Sequence, residues 1–296
     1  MKFSIITITY NRAHLIEETI QSVLDQTYQN FEMIIVDDGS TDNTKEVIDK
    51  YIEEYGDKFR YIPHKHVGML NILRNIAIEN ATGEILTILD SDDLLIPTKL
   101  KEMHSIFSEN PDVNFVFHNL QYFDQKRSLD PPFYNFPGSF HKDALHEILT
   151  DKILGYPVYS MRRSIMKEIG GANEEVTEGQ NEYYIKASVL YKIYYHDKVL
   201  TLMRRHEQNF TSEFDIAHTL DALKTYNSLR EKNLLTKKQY TMATNIVNYR
   251  VARYHFKNND NARALENLND IFKRSSVFDI RYVKSKILKY VPYFRK

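Results

Sequence analysis

Three carboxylates crowd four positions of the chain: Asp90, Asp92 and Asp93, with Ser91 between the first two. They follow directly on the apolar run Ile85, Leu86, Ile88 and Leu89, which reads as a central strand covered on both faces. Carboxylates held this close repel one another unless a cation or hydrogen-bond donors compensate. An Asp-x-Asp step leaving a strand can present two hard oxygen ligands to Mg²⁺ or Mn²⁺, and the ion then neutralises phosphate oxygens. The plainer reading is an exposed acidic turn that caps the next helix, because Asp favours turns and N-caps. Two more polar clusters end apolar runs in the same way. Tyr10-Asn11-Arg12 closes 3–9, and Asp37-Asp38-Gly39-Ser40-Thr41 closes 31–36.

The elements that must position these clusters alternate in type. Residues 3–9 read as a strand, followed by a helix to about residue 26 with Leu15, Ile16, Thr19, Ile20, Val23 and Leu24 on one face. A strand over 31–36, a helix over 42–55, a weak strand over 60–63, a helix over 68–81 and the strand over 85–89 follow. Alternation of this kind predicts an α/β fold built on a parallel sheet. In such sheets ligands bind beyond the carboxyl ends of the strands, so the three polar turns are expected to converge on one site. Further on, the pattern predicts a helix over 99–109, strands over 113–117 and 157–161, and short strands over 193–195 and 199–203. The stretch 118–141 reads as irregular, rich in proline and aromatic residues, and suits sugar recognition, a lid or static packing.

Composition narrows the class. A chain of 296 residues can hold one large domain, or one large and one small. A net charge of −1 argues against a protein that coats nucleic acid. The absence of cysteine excludes disulfides, thiolate metal sites and cysteine nucleophiles, and fits a reducing compartment. No apolar run approaches the ~20 residues that a membrane-spanning helix needs. The first residues enter a strand without a signal-peptide pattern, so a cytoplasmic location is expected.

The segments ITITYNR (6–12), SVLDQTYQNFEMIIVDDGSTDNT (22–44) and RNIAIENATGEILTILDSDD (74–93), with Pro97 after them, together resemble the family 2 glycosyltransferases. The resemblance implies a GT-A fold, with a Rossmann-like, mostly parallel central sheet, over about 1–212. It implies an inverting transfer from a UDP-sugar donor to a hydroxyl of a saccharide or lipid-linked saccharide acceptor, in bacterial cell-surface polysaccharide synthesis. Thr9, Tyr10, Asn11, Asp37 and Asp38 are then expected to hold the nucleoside, with Tyr10 stacking on a uracil-like base and Asp37 or Asp38 accepting a hydrogen bond from it. Arg74 either touches the diphosphate or pairs with Asp90. Asp90 and Ser91 meet ribose or metal, Asp92 binds Mn²⁺ or Mg²⁺, His206 is a further metal ligand, and Arg204 with Arg205 holds diphosphate. A sugar-phosphate nucleotidyltransferase would need a glycine-rich basic loop where this chain has Tyr10-Asn11-Arg12.

Inverting transfer also needs a general base for the acceptor hydroxyl. Within 174–184 the family's usual base position falls on Gln180, which cannot accept a proton usefully. Glu178 is the preferred replacement and Glu182 the second. This departure also motivates an alternative, a non-catalytic nucleotide- or glycan-binding subunit acting through a helical tail.

From about residue 213 the pattern turns helical. Residues 240–256 and 262–272 suggest one tetratricopeptide-type hairpin packed through Ala252, Tyr254, Ala264 and Leu268. The tail over 273–296 interleaves eight Lys and Arg with apolar and aromatic residues against one acid, Asp279. That suits peripheral contact with the inner face of an anionic membrane, or equally a helix with a solvated basic face. The helical region is also the expected surface for any homo-oligomer.

Overall fold

The computed structural model describes residues 1–124, 129–176, 180–205 and 216–274. The chain divides into two compact units, Met1–Ala144 with Gly155–Ser212, and Leu145–Leu154 with Glu213–Lys296.

The first unit is built on β1 (Phe3–Thr9), α1 (Ile16–Leu24), β2 (Phe31–Asp37), α2 (Thr44–Tyr55), β3 (Phe59–Pro63), α3 (Leu70–Glu79), β4 (Ile85–Ile88), β5 (Leu94–Leu95), α4 (Lys99–Glu109), β6 (Phe115–Phe123) and β7 (Phe140–Lys142). After α5 (Leu145–Leu149), which belongs to the second unit, come β8 (Tyr159–Arg162), α6 (Met166–Ile169), α7 (Gln180–Leu190) and β9 (Ile193–Arg204). The strands form one sheet in the order β3-β2-β1-β4-β8-β6-β9-β5, with β7 also paired to β9. Strands β1 to β4 are mutually parallel. β8 runs against β4 and β6, β6 and β9 run together, and β5 and β7 run against β9. Six strands therefore point one way, and β5, β7 and β8 oppose them. This is the Rossmann-like, mostly parallel GT-A sheet.

Burial explains why the central strands read as continuous apolar runs. Every residue of β2 and β4 is buried, because helices cover both faces. The core joins Phe3, Ile5, Met33, Ile35 and Ile85 of the sheet to Ile16, Ile20 and Val23 of α1 and to Leu100, Met103 and Phe107 of α4. Two expectations about the later strands needed revision. The short strands expected over 193–195 and 199–203 are one strand, β9, whose pairing with β6 shifts register between His118 and Leu120 and so absorbs the charged step at Asp197-Lys198. The stretch expected to be irregular from 118 begins as strand, since β6 runs on to Phe123. Its aromatic residues turn inward: Tyr134, Phe136 and Phe140 pack with Phe117 and Tyr195 at centroid separations of 4.9 to 6.1 Å.

The second unit contains α5, α8 (Ile216–Glu231), α9 (Lys237–Lys257) and α10 (Asn261–Arg274). α9 starts with a capping box between Thr236 and Gln239. Ala252 packs with Leu268 and Ile271 to close the expected hairpin. That residues 145–154 join this unit was not legible from the sequence. Asp151, at positive φ, pairs with Arg250 of α9 and ties that excursion to the helices. Among the described residues no helix is long and apolar enough to cross a membrane.

Candidate active site

The ends of β1 and β2 are stitched together by short hydrogen bonds. The Asp38 N–H donates to the Thr9 carbonyl at 2.9 Å. Asn11 sits at φ +49, where Asn is among the most tolerated residues. Its N–H donates to Ser40 Oγ at 2.9 Å, and its side-chain oxygen accepts from the Thr41 N–H at 2.8 Å. The Arg12 N–H donates to Thr44 Oγ1 at the start of α2. Asp42 accepts from the N–H and hydroxyl of Thr44 and from the N–H of Ala13. Burial opposes ionisation of Asp42, but these donors outweigh it and hold its carboxyl below the usual range.

Asp37 and Asp38 organise the neighbouring backbone. Asp37 accepts from the Ser40 N–H at 2.8 Å and from the Tyr61 hydroxyl at 2.7 Å. Burial first, and then Asp37, push the Tyr61 phenol up. Asp38 accepts from the N–H groups of Val67 and Gly68 at 2.8 and 2.9 Å, and its Oδ2 lies 3.0 Å from His66 Nδ1. The His66 ring stacks on Tyr10 with centroids 4.3 Å apart. One face of the expected base-stacking ring is therefore covered by an imidazole in this structure. Tyr10 remains 40% exposed, so part of its ring is still open. His66 belongs to this cluster, and no motif in the sequence marks it.

The acidic turn leaves β4 beside these two. The Asp93 N–H donates to the Asp90 carbonyl at 3.2 Å, closing the turn. Asp93 itself is buried, and its Oδ1 accepts from the Arg204 N–H at 2.9 Å. Burial, then Asp92 and Asp90, push its carboxyl up. Arg204 lies across the turn: Nε donates to the Asp92 carbonyl at 2.9 Å, Nη2 pairs with Glu18 at 3.2 Å, and the guanidinium covers Phe123 at 4.6 Å. It is 6% exposed, so it serves as a buried brace between β9 and the turn. Arg12 Nε stands 3.8 Å from Asp92 Oδ2. In the sequence Arg12 marks only the end of a strand, and the fold alone brings it beside Asp92.

Arg74 is 2% exposed and donates to Asn71 Oδ1 at 3.1 Å. α3 then grips the segment leading to α7. Asn71 donates to the Asn173 carbonyl, and Asn75 exchanges hydrogen bonds with Ala172 through its amide and its oxygen. Glu182 closes on the same segment, accepting from the Asn173 N–H at 2.9 Å and pairing with Lys186 at 2.6 Å. Glu178 and His206 lie outside the described residues.

The chemistry of the turn suits a divalent cation. Three carboxylates are packed together, Asp93 is committed inward, and Asp90 and Asp92 are only partly buried. Among the described residues, no group of three or more His, Asp or Glu side chains is arranged to hold a metal.

Residues 4–170, more than half of the chain, match the family model for glycosyl transferase family 2. The chain belongs to that family. Among its relatives, the glycosyltransferase GlyG of Streptococcus pneumoniae is 25% identical over 243 residues, covering 76% of this chain and 78% of that one. The Escherichia coli enzyme WfgD, a UDP-Glc:α-D-GlcNAc-diphosphoundecaprenol β-1,3-glucosyltransferase, is 35% identical over 118 residues, 40% of this chain and 45% of that one. Other curated relatives are matched over less than half of their own length. Among solved structures, Staphylococcus aureus TarS 1–349 in complex with UDP-GlcNAc superposes with a TM-score of 0.73 at 20% identity, covering 97% of this chain and 85% of that one. The family 2 glycosyltransferase described here thus has the GT-A fold, and a further relative, 38% identical over 106 residues (36% of this chain and 42% of that one), is named the putative teichuronic acid biosynthesis glycosyltransferase TuaG of Bacillus subtilis.

Proposed function

We propose that the enzyme transfers a sugar, with inversion, from a UDP-sugar to a hydroxyl of a glycan or lipid-linked saccharide in cell-surface polysaccharide synthesis. The observation that carries this reading is the approach of the three strand ends: the Asp38 N–H bonds to the Thr9 carbonyl, the Asn11 N–H to Ser40, and Arg12 stands 3.8 Å from Asp92. It gives one site an aromatic ring, base-reading carboxylates and an acidic diphosphate subsite. The UDP donors in the names of WfgD and the TarS complex support the choice of nucleotide.

In this reading Tyr10 and Asp37–Asp38 hold the base, and Thr9 and Asn11 shape the first strand end. Asp90 and Ser91 meet the ribose. Asp92, with Asp90 and His206, holds Mn²⁺ or Mg²⁺. The bound ion would neutralise charge on the leaving diphosphate. Arg12 is placed to add to that charge balance, while Arg204 keeps the turn in position. Arg74 contributes through α3, by fastening the segment that leads to the base. The acceptor oxygen bonds to the anomeric carbon as the bond from that carbon to the β-phosphate oxygen breaks. The acceptor proton passes to Glu178, and UDP leaves. Glu178 is preferred because it precedes the helix, whereas Glu182 lies inside α7.

A panel of UDP- and GDP-sugars, assayed for donor hydrolysis with Mn²⁺ or EDTA, tests the reading. One UDP-sugar should be turned over with Mn²⁺ only, and Asp92→Ala should lose at least ~100-fold, as expected for a lost metal ligand. Transfer to acceptor should fall in Glu178→Gln and persist in Glu182→Gln. Turnover that is indifferent to EDTA, or wild-type transfer by Glu178→Gln, would remove the metal or the base from the scheme.

A further inference from the structure

His66 is a polar side chain at the donor site that the reaction scheme does not use. Its ring is fixed from several sides. Nδ1 lies 3.0 Å from the Asp38 carbonyl oxygen and 3.0 Å from Asp38 Oδ2. The ring stacks on Tyr10 with centroids 4.3 Å apart and 21° between the planes. Gly39 closes in from another direction, so near that a Cβ there would lie 3.2 Å from His66 Cβ. The Asp38 carboxylate also accepts from the N–H groups of Val67 and Gly68, the two residues that follow His66. One buried aspartate thus holds both the imidazole and the backbone that carries it.

These partners decide the tautomer. Both Asp38 oxygens beside Nδ1 are acceptors, so the neutral ring carries its proton on Nδ1 and presents Nε2 as an acceptor. Among the described residues, the side chain makes its hydrogen bonds through Nδ1 and leaves Nε2 to a ligand. The His66 side chain is 53% exposed and that of Asp38 only 4%, so the imidazole is the member of the pair that a ligand meets.

A donor that bonds to Nε2 lies close to the plane of the imidazole. That plane is nearly parallel to the Tyr10 ring. A flat base joined edge-on to His66 therefore continues the layer that His66 forms on Tyr10, where part of the Tyr10 ring is still open. Uracil attached to ribose has a single ring donor, N3–H. Cytosine carries a lone pair at N3, and adenine carries lone pairs at N1 and N3. We propose that His66 is a specificity residue of the donor site: uracil N3–H donates to Nε2 while the base rests beside His66 on Tyr10. Asp38 then acts on the base through the imidazole it orients. Cytosine or adenine would set a lone pair against a lone pair. Guanine has a donor at N1, so His66 does not by itself select against it. The role rests on the reading of Tyr10 and Asp38 as the nucleoside site, and adds to it the residue and the atom that select the base.

The test compares UDP, CDP and 3-methyluridine 5′-diphosphate, in which a methyl group replaces the N3 proton, by calorimetry on the full chain with Mn²⁺ in the buffer. The wild type should bind UDP about tenfold more tightly than either of the others, the scale of one hydrogen bond gained or lost. In His66→Phe, which keeps a ring for Tyr10 but has no acceptor, UDP should drop to the level of the other two. His66→Gln, whose side-chain oxygen can accept, should restore part of the preference. A purely structural role would weaken all three nucleotides together and keep their ratios at the wild-type values, and that result would overturn the proposal. Equal binding of UDP and the methylated nucleotide by the wild type would overturn it without any variant. In both cases UDP is still bound, so the donor-site reading stands. If the wild type binds no UDP, the donor-site reading fails and the role of His66 with it.

Discussion

Glu32 is a buried carboxylate in β2 whose partners come from two separate segments, the N-terminal strand and the turn before β4. It accepts from Ser4 Oγ at 2.6 Å, from the Thr82 N–H at 2.7 Å and from Lys2 Nζ at 3.1 Å. Burial opposes its ionisation, yet these donors prevail and hold it at about 2 instead of 4.5. A folded value below the unfolded one means that the stabilisation is complete above pH ~4.5 and is lost as pH falls toward 2. Glu32→Gln should therefore cost ~2 kcal/mol at pH 7, as expected for lost charge-assisted hydrogen bonds, and much less at pH 3. Urea unfolding at the two pH values measures both. None of this chemistry concerns the reaction. It fixes β1, β2 and the turn before β4 in register, and so sets where the site residues leave the sheet. At the same scale Glu182 could be named from the sequence, but not the fact that Asn173 and Lys186 occupy its oxygens. Those partners lie on other turns of the fold or helix, and only a folded backbone brings them to the carboxylate.

The strand ends work as a set because their backbones approach very closely. Gly39 has φ +76, and a Cβ there would lie 2.8 Å from the His66 backbone nitrogen. Gly39→Ala should thus push away the 64–68 segment that Asp38 holds. The expected result is a loss of UDP affinity of about tenfold, read by calorimetry, with a cost of ~1 kcal/mol in stability from the left-handed conformation. Unchanged UDP affinity would mean that this segment plays no part in the nucleotide site. The glycine and the two aspartates before it were legible as a turn. The reason for the glycine was not, since it depends on a segment about 25 residues away. The same distinction applies to β9. Two apolar runs separated by Asp197-Lys198 look like two strands, and the register shift against β6 joins them into one. That single strand is what carries Arg204 back to the acidic turn.

For the whole molecule, the sheet unit holds every described residue assigned to the reaction, so a role for the helical unit must come from elsewhere. The strongly basic tail suggests contact with anionic lipid, each basic residue near such a surface contributing ~1 kcal/mol at low screening. The full chain should sediment with vesicles containing phosphatidylglycerol and not with neutral phosphatidylcholine vesicles. Lys284→Glu/Lys286→Glu/Lys289→Glu should abolish the difference while leaving donor hydrolysis unchanged. Sedimentation of the variant equal to that of the wild type would remove these lysines from any lipid contact.

Residue order was enough for the α/β alternation, the three polar turns at strand ends and the helical character of 216–274. These rest on local periodicity and turn chemistry, which act over a few residues. How the named side chains are used came from the folded arrangement. It placed Arg12 beside Asp92, His66 over Tyr10 and Arg204 against the turn. Each of those relations joins residues separated in sequence or buried by other elements, and a carboxylate's charge or a ring's free face is set by whatever the fold packs against it.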